Sequence, residues 1–67
     1  MSVVKIITLV GESTEGWEDA AQKVIEEAKL SLRGITRIGI TEFDVRMKDD
    51  DVEVYRVRAE VSFRIER

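Results

Sequence analysis

The chain contains no cysteine, no histidine and no proline. Without cysteine there is no disulfide to staple a small fold and no thiolate metal site. That absence fits a reducing, cytoplasmic setting. Without histidine the imidazole metal ligands and the usual general base are missing. Ser13, Ser31 and Ser62 therefore have no base to activate them as nucleophiles. The many carboxylates include no pair set in an identifiable apolar pocket. These absences point to a non-enzymatic protein. Basic excess is also lacking: 11 Lys and Arg face 14 Asp and Glu, for a net charge of −3. Nucleic acid, which requires a basic face to neutralise phosphates, is thereby disfavoured as a partner, a half ferredoxin-like RNA-binding fold included. No apolar run approaches the ~20 residues of a membrane span. Residues 1–10 have no small-residue cleavage site, so neither a membrane nor a signal peptide is expected.

Sixty-seven residues make one domain, taken here as residues 1–67. A domain this small buries only about 60% of its unfolded surface. Disulfides, metals or oligomerisation usually compensate, and the composition leaves oligomerisation as the simplest route.

What is present is a long alternation at the C-terminal end, from Val52 to Arg67. Tyr55, Val57, Ala59, Val61, Phe63 and Ile65 share one parity. Arg56, Arg58, Glu60, Ser62, Arg64 and Glu66 share the other. A period of two marks a half-buried β-strand. About fifteen residues at ~3.3 Å each span roughly 50 Å, whereas a compact domain of this length has a radius of gyration of about 11 Å. A strand that long must project beyond its own core and needs a partner for its exposed end.

Earlier in the chain, Val3 to Val10 is apolar on both parities and reads as a strand covered on both faces, ended by Gly11. Ser13, with Thr14 second, is the expected helix N-cap. Apolar residues at Trp17, Ala20, Ala21, Val24, Ile25, Ala28 and Leu32 then form one face of a helix of about nineteen residues, roughly 28 Å long. Leu30 falls off that stripe, where it is free to touch a neighbouring subunit. Asp19 and Lys23 are spaced as an i, i+4 ion pair, and Gly34 is the expected C′ residue. Ile35 to Met47 reads as a second strand. Its apolar parity switches between Ile40 and Phe43, which predicts a bulge near Thr41–Glu42 and puts Phe43, Val45 and Met47 on one face. Lys48-Asp49-Asp50-Asp51 is the turn into the last strand. The fold class is therefore α+β, in the order β-α-β-β. A right-handed crossover makes strands one and two parallel. The terminal strand lies between them, antiparallel to both, in a three-stranded sheet of order 1-3-2 with the helix on one face.

Each candidate for chemistry carries two readings. Asp49, Asp50 and Asp51 can offer oxygens to Ca²⁺ or Mg²⁺, or form a solvated turn that discourages edge aggregation. Glu12 and Glu15 stand near the helix start as dipole partners or metal ligands. Rotational symmetry would turn one weak carboxylate per subunit into a ring. Trp17 is a core residue by its place on the stripe, or a subunit anchor by its type. Lys5 is an interface lysine or a desolvated amine. Arg56, Arg58 and Arg64 can hold a phosphate or carboxylate, or, as their alternation with Glu60 and Glu66 suggests, form cross-strand or cross-subunit ion pairs.

Three features together resemble the dodecins: Val10-Gly11-Glu12-Ser13 closing the first strand, the helix opening Trp17-Glu18-Asp19-Ala20-Ala21, and the final Val61-Ser62-Phe63-Arg64-Ile65-Glu66. The resemblance covers the whole chain. Dodecins are small flavin-binding proteins that assemble as hollow homododecamers, with a three-stranded sheet wrapped around one helix. The resemblance implies a flavin (FMN or riboflavin) stacked on a Trp early in the second strand and held at its edge by a Gln on the third. The matching positions here are Arg37 and Arg56. A related branch lacks that Trp and is associated with calcium, and this chain looks closer to it. The resemblance thus implies a storage protein holding a flavin-type ligand or Ca²⁺ at subunit junctions. The reading set against it is a self-assembling structural module with no small ligand.

Overall fold

The computed structural model describes residues 3–65. Strand β1 (Val3–Ser13) leads to helix α1 (Trp17–Ser31), followed by β2 (Ile35–Lys48) and β3 (Asp51–Ile65). The three strands form one sheet of order β1-β3-β2, with β3 antiparallel to both neighbours. This is the β-α-β-β arrangement that the connectivity predicts. Glu66 and Arg67, which the alternation adds to the last strand, lie outside the described residues.

The period of two in β3 separates the faces of the sheet. Val57 and Ala59 pack against Ala20 and Val24 of α1, and Val61 and Ala28 are buried as well. Leu9, Ala21, Ile38 and Ile40 pack around them. Fully burying a valine contributes about 1.5–3 kcal/mol, and Val57 and Val61 are the largest fully buried side chains. Small residues on both surfaces let the helix lie close. A Cβ on Gly11 would stand 2.3 Å from the Ala20 carbonyl oxygen and 2.6 Å from a Val24 methyl. Only glycine fits that crossing, and the strand runs through it rather than ending there.

In β2 the register slips between Ile40 and Glu42, at the expected bulge. Ile38, Ile40, Phe43 and Val45 consequently all lie opposite the helix-facing residues Val61, Ala59, Val57 and Tyr55. A second slip, between Arg46 and Met47, sets Met47 opposite Val52. Met47 thus leaves the face of Phe43 and Val45, contrary to the simple parity count. Lys48 pairs with Asp51, and Asp49 and Asp50 form a two-residue turn at φ 53° and 66°. Positive φ at both positions is the type I′ hairpin, which matches the strand twist.

The helix is shorter than its apolar stripe suggests: 15 residues, opening at Trp17 after Gly16. Ser13 is not its cap, because β1 continues through Ser13. The Ser13 hydroxyl instead accepts from the Glu15 N–H at 2.9 Å and donates to Asp19 at 2.6 Å. Gly16 at φ 156° makes the entry, a backbone region nearly restricted to glycine. At the other end Leu32 is the extended C-cap. Gly34, at φ 71°, turns the chain into β2 rather than closing the helix. β1 is an edge strand with Val4, Ile6 and Val10 exposed, not a strand covered on both faces, because the single helix covers only one side of the sheet.

The molecule measures 51 × 18 × 14 Å, with a radius of gyration of 13.8 Å. A 15-residue helix is only about 22 Å long, so the far half of the β2–β3 hairpin projects beyond it.

Candidate functional site

The face of the sheet away from α1 carries the exposed Val4, Ile6 and Val10 on β1, and beside them charge runs in cross-strand rungs. Arg58 meets Glu42 at 2.8 Å. Arg56 lies between Glu12 (3.7 Å) and Asp44 (3.5 Å), its partners in register on β1 and β2. Its Nε is buried yet makes no hydrogen bond among the described residues, so attraction to the two carboxylates acts without aligned bonds. Arg46 reaches Glu53 at 2.7 Å and Glu12 at 3.4 Å. The Glu53 bond, followed by the charge of Glu12, holds the Arg46 pKa above its usual value. These side chains are partly solvated, so water and salt screen the pairs and each adds little to stability. The alternation of charge on β3 anticipated cross-strand pairing. The parts played by Asp44, Arg46 and Glu53 depend on the β2–β3 register, which no local pattern reveals.

Arg37 differs from this group. It sits opposite Ser62, and no carboxylate pairs with it among the described residues. Its guanidinium carbon and both terminal nitrogens are each 3.5 Å from the point where a Gly39 Cβ would stand. Equal distances to three atoms of a planar group mean that the plane lies face-on over Gly39. Arg37 and Arg56 share the open face, but their register positions on β3, Ser62 and Arg56 itself, are six residues apart. At ~3.3 Å per residue that is roughly 20 Å, so one copy does not bring them together. Arg64 is exposed and also has no ion pair among the described residues.

Asp49, Asp50 and Asp51 occupy the exposed hairpin tip. No three acidic side chains among the described residues converge into a metal-sized group within one copy. Glu12 is engaged by Arg46 and Arg56. Lys5 is exposed on the edge strand. Asp19 pairs with Lys23 at 3.2 Å. The Ser13 hydroxyl first, and Lys23 second, lower the Asp19 pKa from the ordinary carboxylate value.

Trp17 is not a core residue. It is 41% exposed, because the helix starts at Trp17 and its side chain reaches over the projecting hairpin, past the buried cluster. Its indole N–H donates to the Asp44 carbonyl at 2.9 Å. The ring stands edge-on to Tyr55 (centroids 5.0 Å apart) and to Phe43 (6.3 Å). No helix among the described residues is long and apolar enough to cross a membrane.

Comparison with known proteins agrees with this geometry. The Dodecin family model matches residues 3–66. The calcium dodecin of Mycobacterium tuberculosis is 34% identical over 65 residues, covering 97% of this chain and 92% of that protein. The dodecin of Thermus thermophilus is 36% identical over 64 residues, covering 96% and 93%. Among solved structures, a point mutant of the T. thermophilus dodecin superposes with a TM-score of 0.88 at 34% identity, over the full length of both chains. The calcium-chelating calcium dodecin of M. tuberculosis, whose structure has a novel calcium-binding site, gives 0.84 at 32% identity over 97% of this chain and 93% of that one. Sharing strand order, length and sequence with these small-ligand-binding proteins, which are not enzymes, the chain belongs to the dodecin family.

Proposed function

We propose that this chain builds a hollow shell of twelve copies and stores a small ligand at the junctions between them. The observation that carries this reading is the separation of Arg37 and Arg56. These are the two positions at which the family resemblance places flavin contacts, and in one copy they are roughly 20 Å apart along the sheet. A single flavin ring system is shorter than that distance, so a pocket that sets both positions against one ring draws them from two copies.

Calcium is the favoured ligand. The Trp and Gln of the flavin site are replaced by Arg37 and Arg56, and Arg56 is held between Glu12 and Asp44. The relative that covers 97% of this chain at 34% identity is a calcium dodecin. Ca²⁺ takes six to eight oxygen ligands. Asp49, Asp50 and Asp51 at the hairpin tip supply such oxygens once a symmetry axis gathers several tips.

A flavin (FMN or riboflavin) is the second reading, and one observation favours it. The Arg37 guanidinium lies flat over Gly39 and has no carboxylate partner among the described residues, and an Arg plane stacks on aromatic rings. Titration separates the two. Calorimetry with Ca²⁺ is expected to give a saturable signal that weakens when Asp49, Asp50 and Asp51 are changed to Asn. FMN fluorescence quenched by wild-type protein but not by Arg37→Ala would establish the flavin instead. An assembled protein that gives neither signal at millimolar ligand is a structural shell, and the storage reading is then wrong.

A further inference from the structure

The two outer edges of the sheet differ. β2 is a guarded edge: its register against β3 slips at three places, and it carries Arg37, Glu42, Asp44, Arg46 and Lys48. Bulges and charges of this kind keep an edge strand from pairing with another chain. β1 has neither guard. It pairs with β3 from Val3 to Ser13, 11 residues, without a slip, and Lys5 is its one charge before Glu12. Val3, Val4, Ile6 and Val10 are exposed on it. A strand directs about half of its backbone N–H and C=O groups to each side, and β3 satisfies only the inner set. Among the described residues no backbone group outside the sheet and no side chain bonds the outer set between Val3 and Glu12. The helix leaves that side open as well: a groove of about 270 Å³ runs beside Leu9–Glu12, walled by Lys23, Val24 and Glu27 of α1.

We propose that β1 of one copy pairs antiparallel with β1 of a second copy about a twofold axis, joining two three-stranded sheets into one. The bare edge sets the chemistry of its occupant: an extended strand that brings unpaired N–H and C=O groups of its own. Of the two edges in this chain only β1 is regular and unguarded, so the copy that meets it brings β1 too, and the contact is isologous. The register follows from the strand itself. Opposed residues of an antiparallel pair point to the same face, and Thr8 is the middle of the strand, so an axis through Thr8 pairs all 11 residues. It sets Ile6 opposite Val10 of the partner subunit on the open face, and Ile7 opposite Leu9 of the partner subunit on the helix face. Lys5 falls opposite Gly11 of the partner subunit and Glu12 opposite Val4 of the partner subunit, so no charge meets its like. The two Thr8 side chains meet at the axis, a favoured cross-strand pair. The inference rests on the assembly reading above and names one contact within it.

The absence of native cysteine provides the test. Opposed Cα atoms in an antiparallel pair are about 4.5–5.5 Å apart, within the reach of a disulfide. Thr8→Cys, on β1, and Thr41→Cys, on the β2 edge, are each oxidised under dilute conditions and run on a non-reducing denaturing gel. Both positions are exposed, so neither change touches the buried cluster. The expected result is a dimer, and no larger ladder, from Thr8→Cys, and single chains from Thr41→Cys. Thr8→Lys opposes two lysines across the axis and should raise the concentration at which the assembly dissociates by about fivefold or more. A Thr8→Cys protein that assembles at wild-type size without cross-linking overturns this contact, leaves the shell intact and leaves the β1 edge to a strand of some other protein. Equal dimer yields from the two cysteine variants overturn it, and so does a Thr8→Lys assembly that dissociates like wild type. A monomeric wild-type protein overturns both this contact and the shell.

Discussion

From Val57 to Val61, β3 lies beneath α1, and its helix-facing side chains are fully buried. From Asp51 to Tyr55 the same strand pairs with Val45 to Lys48 of β2 and has Trp17 against Tyr55, but no helix lies over it, and Val52 and Met47 are exposed. The alternation is the same in both halves; the helix covers only one. The covered half holds the single chain together. The projecting half displays apolar surface that its own chain leaves open. Stability of the protomer and stability of the assembly should therefore respond to different residues.

The largest effect is expected in the covered half. Gly11→Val should destabilise the protomer by about 3 kcal/mol or more, because the new side chain meets backbone at Ala20. A melting curve like that of wild type would show that the helix does not sit as described. Val61→Ala should cost about 2 kcal/mol, whereas Val52→Ala in the projecting half should leave protomer unfolding nearly unchanged. Equal losses in urea denaturation would erase the distinction between the halves. At the hairpin tip, Asp50→Gly should stabilise by about 1 kcal/mol, since φ 66° strains any residue with a Cβ; a lower melting temperature would rule out the type I′ turn. Arg46→Ala should cause a small loss of stability in low salt and a smaller one in high salt; a salt-independent loss would contradict solvated pairing with Glu12 and Glu53. The smallest effect concerns Asp19. Its folded-state pKa lies below the ordinary value, so its contribution is present at neutral pH and lost as pH falls through the acidic carboxylate range. Asp19→Asn should flatten that part of the acid-stability profile.

Much of the fold was legible because β3 carries an uninterrupted period of two and β2 carries a visible break. Those two patterns fix the faces and place the bulge between Ile40 and Glu42. Ser13 misled because a serine before an acidic helix start has the chemistry of an N-cap. Here it is the last residue of β1, and Gly16 makes the entry. Trp17 misled because helical spacing reports the side of a helix and not how far the core extends beneath its first turn. At the candidate site, only the family resemblance pointed to Arg37 and Arg56 as the positions of stacking and edge-binding groups. Their roughly 20 Å separation, and the hold of Glu12 and Asp44 on Arg56, depend on cross-strand register, which a one-dimensional pattern does not carry.

The most direct test is the mass of the wild-type protein in solution, measured by sedimentation velocity across a dilution series. Twelve copies of the 7.7 kDa chain give a particle of about 92 kDa, and the account predicts that species down to low concentration. A folded single chain, stable by itself with its hairpin fully exposed, would contradict it.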